Sequence, residues 1–211
     1  MAKHSPHVTL PIDRERALGA VVVGRAGMDL YPEPDGAAIA QATTFAAELG
    51  GSAGNIAVAI ARQGVPAALL STVSDDAVGR FVRAVLERDG VDTTRCRVVS
   101  GGPRTSLALA ETRPTDAEVV IYRNGAADLE LVLDEADEAL LRKASVLILT
   151  GTALAAEPSR SSSLALLGLA RNAGTFSFLD IDHRAYSWAG LDEARRVYRE
   201  AAALCDAVVG N

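Results

Sequence analysis

Four short segments of the sequence combine charged, amide and glycine residues in patterns that suit the binding of a small polar molecule. The first, Gly24-Arg25-Ala26-Gly27-Met28-Asp29, places a carboxylate shortly after an apolar run, where it can accept hydrogen bonds from sugar hydroxyls. The second, Gly50-Gly51-Ser52-Ala53-Gly54-Asn55, opens a predicted helix, whose free N–H groups and glycine backbone allow a ligand to approach closely. Each segment also fits a structural role, as a loop aspartate bonded to its own backbone or as an ordinary glycine turn.

The other two segments carry arginine. Tyr122-Arg123-Asn124 ends a predicted hairpin, which could cover a ligand and supply a guanidinium, or could be a solvated hairpin tip. Asp180-Ile181-Asp182-His183-Arg184 leaves a predicted strand, and strand alternation would place Asp180, Asp182 and Arg184 on one side. Arg184 could hold a carboxylate or a phosphate in its planar fork, or could form a surface ion pair with an aspartate.

Patterns of several other catalytic sites are missing from the sequence. It contains no G-x-S-x-G nucleophile motif, no Walker A lysine and no cluster with metal-ligand spacing. A dinucleotide-binding domain would need a glycine fingerprint directly after the first strand, and Gly24-Arg25-Ala26-Gly27 fits that pattern poorly. We therefore assign no catalytic residue and no metal ligand from the sequence.

The elements that must position these segments alternate between strands and helices. Apolar runs predict strands at 18–24, 67–73, 97–99, 146–149, 176–181 and 207–209, and amphipathic or alanine-rich runs predict helices at 55–63, 76–89, 134–143, 158–173 and 192–204. Residues 25–36 are predicted to form a loop because they contain glycines and prolines. Strand-like runs at 43–49, 105–111 and 118–123 interrupt the alternation and predict a small separate sheet.

This order predicts an α/β fold with a doubly wound, mostly parallel sheet, helices on both faces and a small β lid. The domain is expected to span 18–211, with lid strands near 43–49 and 105–124, after a flexible N-terminal extension at 1–17. A doubly wound sheet rarely finishes on an uncovered apolar strand such as 207–209. We therefore expect the C-terminal part of the domain to be missing from this sequence.

Composition narrows the classes of partner. The chain has 211 residues, a formal net charge of −6 and two lysines, which argues against nucleic acid as a partner. No apolar run is long enough to predict a membrane span, and the first 16 residues lack the apolar centre of a signal peptide. Cys96 and Cys205 lie outside metal-ligand spacings, which predicts reduced thiols in a cytoplasmic protein.

In order and spacing, these segments resemble the ribokinase (PfkB) family of carbohydrate kinases over Leu18 to Asn211. The resemblance is carried by Gly27-Met28-Asp29, Gly50-Gly51-Ser52-Ala53-Gly54-Asn55, Ser74-Asp75-Asp76-Ala77-Val78-Gly79, Asp89-Gly90-Val91-Asp92 and Asp180-Ile181-Asp182-His183-Arg184. Within the family, Tyr122-Arg123-Asn124-Gly125-Ala126-Ala127-Asp128 and the segment from Asp180 to Trp188 resemble bacterial kinases that act on 5-dehydro-2-deoxy-D-gluconate in inositol breakdown. The general family pattern has asparagine where Asp182 stands.

The resemblance implies roles for individual residues. Substrate-binding roles are implied for Asp29, Gly50, Gly51, Asn55, Tyr122, Arg123, Asp182 and Arg184, and a role near nucleotide and magnesium for Asn211. Arg184 would contact the acid group or the transferred phosphate. The family's Gly-Ala-Gly-Asp motif, which supplies the base aspartate, is expected beyond residue 211, so this chain alone is expected to be inactive.

The function implied is ATP-dependent and Mg²⁺-dependent phosphorylation of a sugar or sugar acid by the full-length protein, with this chain supplying the sugar-binding half. The best single substrate is 5-dehydro-2-deoxy-D-gluconate, and 2-keto-3-deoxygluconate and fructose are the alternatives within the family. An alternative of another class is a non-catalytic sugar-acid-binding protein. The family's lid sheets often pair between subunits, so a homodimer formed through the lid is expected.

Overall fold

The computed structural model describes residues 11–210, in which strands and helices alternate along most of the chain. The strands are β1 (Leu18–Val23), β2 (Gly27–Glu33), β3 (Thr44–Gly50), β4 (Ala67–Ser74), β5 (Cys96–Val99), β6 (Leu107–Ala110), β7 (Val119–Tyr122), β8 (Ala144–Thr150), β9 (Phe176–Asp180) and β10 (Ala207–Val209). The helices are α1 (Ser52–Arg62), α2 (Ala77–Arg88), α3 (Glu135–Arg142), α4 (Ser159–Ala173) and α5 (Leu191–Leu204). No helix in this part of the chain is long and apolar enough to cross a membrane.

Six strands form the main sheet, in the order β10-β9-β8-β1-β4-β5 and all parallel. The central strands of this sheet are buried on both sides, as β1 illustrates, because successive residues of β1 belong to different cores. Val21 packs in a core that includes Leu141 of α3 and Leu166 of α4, whereas Val22 packs in a second core with Val82 of α2. The predicted doubly wound α/β fold is therefore confirmed.

The remaining four strands form the lid sheet, in the order β3-β2-β6-β7. The prediction of a loop at residues 25–36 is wrong for its central part, because residues 27–33 form β2, which pairs with β3 along its whole length. Proline has no backbone N–H to donate to a neighbouring strand. Pro32 is tolerated in β2 because pairing with β6 stops at Leu30, so no strand on that side needs a hydrogen bond from position 32. Two neighbouring strands here outweighed the local glycine and proline signals.

All four lid strands meet the main sheet at the same end, which we call the root of the lid. At the root Gly27 of β2 pairs with Gly50 of β3, and Leu107 of β6 pairs with Tyr122 of β7. Thr105 and Ser74 reinforce the root at the end of β4. The Ser74 N–H donates to Thr105 Oγ1 at 2.8 Å, and the Thr105 N–H donates to Ser74 Oγ at 3.0 Å.

Several helix boundaries follow from local capping residues, as the sequence predicts. Asp76 is the N-cap of α2, where its Oδ1 accepts hydrogen bonds from two backbone N–H groups at 3.0 Å. Gly174 ends α4 in the left-handed conformation. Helix α1 differs from prediction because it begins at Ser52, three residues before the predicted start, so Asn55 lies within the helix and not before it.

Arg16 is fixed against the main domain, although it lies in the segment predicted to be a flexible extension at 1–17. Its guanidinium donates to the carbonyls of Ala144 at 2.9 Å and Ala173 at 2.8 Å and to Thr175 Oγ1 at 2.7 Å. Cations at helix ends bind otherwise unpaired carbonyls. The ordered domain therefore includes Arg16, and residues 1–10 of the predicted extension lie outside the described part of the chain.

Candidate functional site

A cavity of about 870 Å³ lies between the lid sheet and the loops that follow β1, β8 and β9. This is the position where open α/β sheets bind ligands, outside the carboxyl ends of the strands. Its lid wall includes Asp29 and its cross-strand neighbours Ala108 and Ile121. The charged residues that line it are Arg25, Asp29, Arg123 and Arg184. A partly open cavity of this size and lining suits a small polar molecule.

Arg123 connects the lid to two loops of the main domain. Its side chain is almost fully buried and forms an ion pair with the equally buried Asp128. The same guanidinium donates to the Thr152 carbonyl at 2.8 Å and to Ser187 Oγ at 3.1 Å. The charge of Arg123 is therefore balanced within the protein, and its bonds hold the end of β7 against the turns that follow β8 and β9.

Arg184 and Asp182 form an ion pair at 2.8 Å beside the cavity. The predicted alternation of Asp180, Asp182 and Arg184 does not persist, because β9 ends at Asp180 and Asp182 has a φ of 37°. Aspartate is one of the residues that tolerate this left-handed backbone. The resulting turn brings the two charged groups together, while one carboxylate oxygen of Asp182 stays buried without a hydrogen-bond partner.

Asp29 reaches the cavity from β2 and depends on the glycine at position 50. A Cβ on Gly50 would overlap the Asp29 carboxylate, with Oδ2 only 2.7 Å away. Burial raises the pKa of Asp29, and the positive charge of Arg25 opposes that shift. Asp29 Oδ1 is buried without a hydrogen-bond partner, which leaves an acceptor of this carboxylate unsatisfied in the protein alone.

Gly51 has a different structural task. Its φ of 89° is accessible mainly to glycine, and a Cβ there would lie 2.8 Å from the Ala26 Cα. The conformation lets α1 begin directly against the turn between β1 and β2. Gly50 and Gly51 therefore shape the site through the protein's own contacts, whereas the sequence suggested that they admit a ligand.

Arg25 is a site residue that the sequence analysis did not single out. It lies in the three-residue turn between β1 and β2, is 7% exposed and lines the cavity. The one signal in the sequence is a basic residue shortly after a predicted buried strand. Tyr186 and Ser187, which follow β9 and lie within the segment from Asp180 to Trp188, also line the cavity.

Of the predicted site residues within the described chain, those that do not line the cavity are Gly50, Gly51, Asn55, Tyr122 and Asp182. Tyr122 belongs to the lid face opposite Asp29, by its register with Leu107, and is 62% exposed. Asn55 is exposed on α1 and is not among the residues that line the cavity. Asn211 lies outside the described residues.

The arrangement can bind and orient a polyhydroxylated molecule through buried acceptors and guanidinium donors. Residues 11–210 contain no group of three or more histidine, cysteine, aspartate or glutamate side chains placed to hold a metal ion together.

Replacing Asp29 with asparagine is expected to stabilise the ligand-free protein at neutral pH by up to about 1 kcal/mol, because the buried carboxylate is costly without a partner. Because burial raises the pKa of Asp29, this cost disappears as the pH falls through that pKa and the carboxylate is protonated. Urea unfolding at neutral and acidic pH measures the difference.

The exposed cross-strand neighbour Glu48 provides a control, since Glu48→Gln removes a charge without changing a buried group. A lower stability of Asp29→Asn than of the wild type at neutral pH would contradict the prediction.

Comparison with known proteins adds independent information. The family described as pfkB family carbohydrate kinase matches residues 18–211. A relative from Photobacterium profundum, named 5-dehydro-2-deoxygluconokinase, is 40% identical over 202 residues, which cover 96% of this chain and 61% of the relative. The chain thus spans less than two thirds of that relative's length.

Solved structures give the same result. A PfkB protein from Polaromonas sp. JS666 superposes with a TM-score of 0.83 at 26% identity. The match covers 92% of this chain and 66% of the Polaromonas chain. A fructokinase from Halothermothrix orenii has a TM-score of 0.79 at 25% identity, with coverages of 90% and 67%. With the sheet order, the lid and the cavity between them, these matches establish that the chain belongs to the pfkB family of carbohydrate kinases.

Proposed function

We propose that the protein phosphorylates a sugar acid at the expense of ATP and that these 211 residues supply its sugar-binding part. The observation that carries the proposal is the cavity between lid and main sheet, which Asp29 and three arginines line together. Hydroxyl groups of a sugar would donate to Asp29, and an acid group would accept from guanidinium. Membership of a carbohydrate kinase family supports the reaction type.

The substrate we propose is 5-dehydro-2-deoxy-D-gluconate. The name of the Photobacterium relative, 5-dehydro-2-deoxygluconokinase, supports it, and so do the arginines of the cavity, because an anionic substrate gains more from them than a neutral one. The likeness to a fructokinase keeps a neutral ketose as the second candidate.

The proposed roles differ from residue to residue. Asp29 accepts hydroxyl donors, and Gly50 provides the space that its carboxylate occupies. The pair of Asp182 and Arg184 lies where the chain leaves β9, and Asp182 retains a free buried oxygen for the ligand. ATP and Mg²⁺ belong to the proposed reaction.

Isothermal titration of the purified chain tests the proposal. We expect 5-dehydro-2-deoxy-D-gluconate to bind at least about tenfold more tightly than D-fructose, which corresponds to one charge-assisted hydrogen bond. Tighter binding of fructose would favour the second candidate, and binding of neither would overturn the proposal. A coupled assay of ADP release by the full-length protein, with Mg²⁺ and the sugar acid, separates a kinase from a protein that only binds the acid.

We also propose that the protein resides in the reducing cytoplasm, which accords with the free thiols of Cys96 and Cys205. We further propose that it forms a homodimer through the lid. Strand register places apolar residues on the lid face opposite Asp29. This outer lid face comprises Leu30, Phe45, Ala47, Leu109, Val120 and Tyr122. Val120 is 41% exposed and Tyr122 62% exposed, so a partner would remove apolar surface from water.

Changing Val120 and Leu109 together to glutamate is expected to convert the dimer to a monomer, since charges would then be buried in the interface. Light scattering at micromolar concentration measures the molecular mass. Val119→Glu is the matched control, because Val119 is an exposed neighbour on the other face of β7. A wild-type protein that is monomeric under these conditions would overturn the dimer.

A further inference from the structure

The three arginines that line the cavity differ in how their charges are balanced. Arg123 is paired with Asp128, and Arg184 is paired with Asp182. Within residues 11–210, Arg25 has no ion pair with any carboxylate, and its side chain has a single hydrogen bond, to Ser106 Oγ at a long 3.4 Å. Among the cavity-lining arginines of the described chain, Arg25 is therefore the one without a carboxylate in direct contact, and the nearby charge of Asp29 acts on it only at longer range.

Burial makes this lack of a partner significant. Arg25 is 7% exposed, and its Nε is inaccessible to solvent and has no hydrogen-bond partner. Guanidinium has five N–H donors, and a buried charge that is neither paired nor bonded is costly. A folded protein can retain such a group where a bound ligand supplies the missing hydrogen bonds and the opposite charge. The turn leaves little freedom, because the Arg25 carbonyl accepts the Gly54 N–H at the start of α1.

Asp29 has the complementary deficiency. Its Oδ1 is buried without a donor, just as the Nε of Arg25 is buried without an acceptor. The two residues are four positions apart in sequence and line the same cavity, yet they form no ion pair with each other. A molecule with a hydroxyl group and a carboxylate would satisfy both residues, whereas the hydroxyl and carbonyl oxygens of a neutral sugar would accept hydrogen bonds from Arg25 without supplying a negative charge.

We propose that Arg25 binds the carboxylate of the substrate and so determines the preference for a sugar acid over a neutral sugar. This inference rests on the proposed function and deepens it, because it assigns the acid-binding role to Arg25, whereas Arg184 already has Asp182 as its partner. Arginine suits the role because its planar fork matches the geometry of a carboxylate.

Isothermal titration with a pair of isosteric ligands tests the assignment. The ligands are 5-dehydro-2-deoxy-D-gluconate and its neutral primary amide. For Arg25→Gln we expect roughly 10- to 100-fold weaker binding of the acid, and less than about threefold weaker binding of the amide. Arg25→Lys keeps the positive charge but lacks the planar guanidinium, and we expect it to bind the acid about tenfold more weakly than the wild type. Arg195→Gln, on the exposed surface of α5, is the matched control and should bind both ligands like the wild type.

The outcomes separate this inference from the function on which it rests. If the wild type binds the amide as well as the acid, or binds neither, the proposed sugar-acid function fails before any variant is considered. If the wild type prefers the acid and Arg25→Gln loses both ligands equally, or neither, the role of Arg25 is overturned while the function stands. Circular dichroism checks folding, and Arg25→Lys carries the test if Arg25→Gln does not fold.

Discussion

Replacing Arg123 with methionine is expected to lower the free energy of unfolding by about 3–5 kcal/mol, the usual cost of breaking a buried ion pair from one side. The change leaves the Asp128 carboxylate buried without its cation, since both side chains are almost fully shielded from water. It also removes the donors to the Thr152 carbonyl and to Ser187 Oγ. A loss of this size is a large fraction of the stability of a typical domain.

Urea unfolding measures this loss, and two further variants identify its cause. Replacing Arg123 and Asp128 together with methionine and leucine removes both charges, and we expect it to recover part of the stability. Arg62→Met breaks an exposed ion pair with Asp89 and should cost at most about 1 kcal/mol. If Arg123→Met cost no more than Arg62→Met, the buried pair would not be holding the lid in place.

Replacing Gly50 with alanine is expected to weaken sugar-acid binding by roughly 10- to 100-fold while preserving the fold, since it removes a hydrogen bond to a charged acceptor. The added Cβ would overlap the Asp29 carboxylate and force it to rotate away. The backbone of Gly50 does not have a positive φ, so alanine introduces no backbone strain there. Isothermal titration with 5-dehydro-2-deoxy-D-gluconate measures the effect.

Gly51→Ala provides the contrast with Gly50→Ala. Position 51 has a φ of 89°, so alanine there is expected to destabilise the protein by about 1–3 kcal/mol. Urea unfolding and titration of both variants should therefore give opposite patterns, with binding lost at position 50 and stability lost at position 51. Unchanged binding in Gly50→Ala would mean that Asp29 does not contact the sugar.

The sequence predicted those parts of the fold that depend on local signals. Asp76 and Gly174 mark helix ends through bonds to neighbouring backbone, and the apolar run of β1 identifies a buried strand without reference to the rest of the chain. Strand β2 was missed because it depends on two partners distant in sequence. Asp29, for example, pairs with Glu48 on one side and Ala108 on the other.

In the candidate site too, the sequence predicted the features that depend on local signals and missed those that depend on distant contacts. The sequence located Asp29, Arg123 and Arg184, whose residue types and positions after strands suggest binding. It could not show that Arg123 is paired with Asp128, because burial and contacts with Thr152 arise only when the chain folds. Arg25 was overlooked for a related reason, since its importance lies in the missing partner, and a missing partner is a property of three-dimensional arrangement.

Because the four lid strands share one root, the lid sheet is attached to the main sheet at one end. The attached end contains Gly27, Gly50, Leu107 and Tyr122, and the far end contains Glu33, Thr44, Ala110 and Val119. If the lid bent, its far end would be displaced more than its attached end. Asp29, two residues from Gly27, would then keep its distance from Arg25, while Ala110 and Val119 would move the most. Such a movement would open the cavity at its far end and leave the residues proposed to recognise the ligand in place.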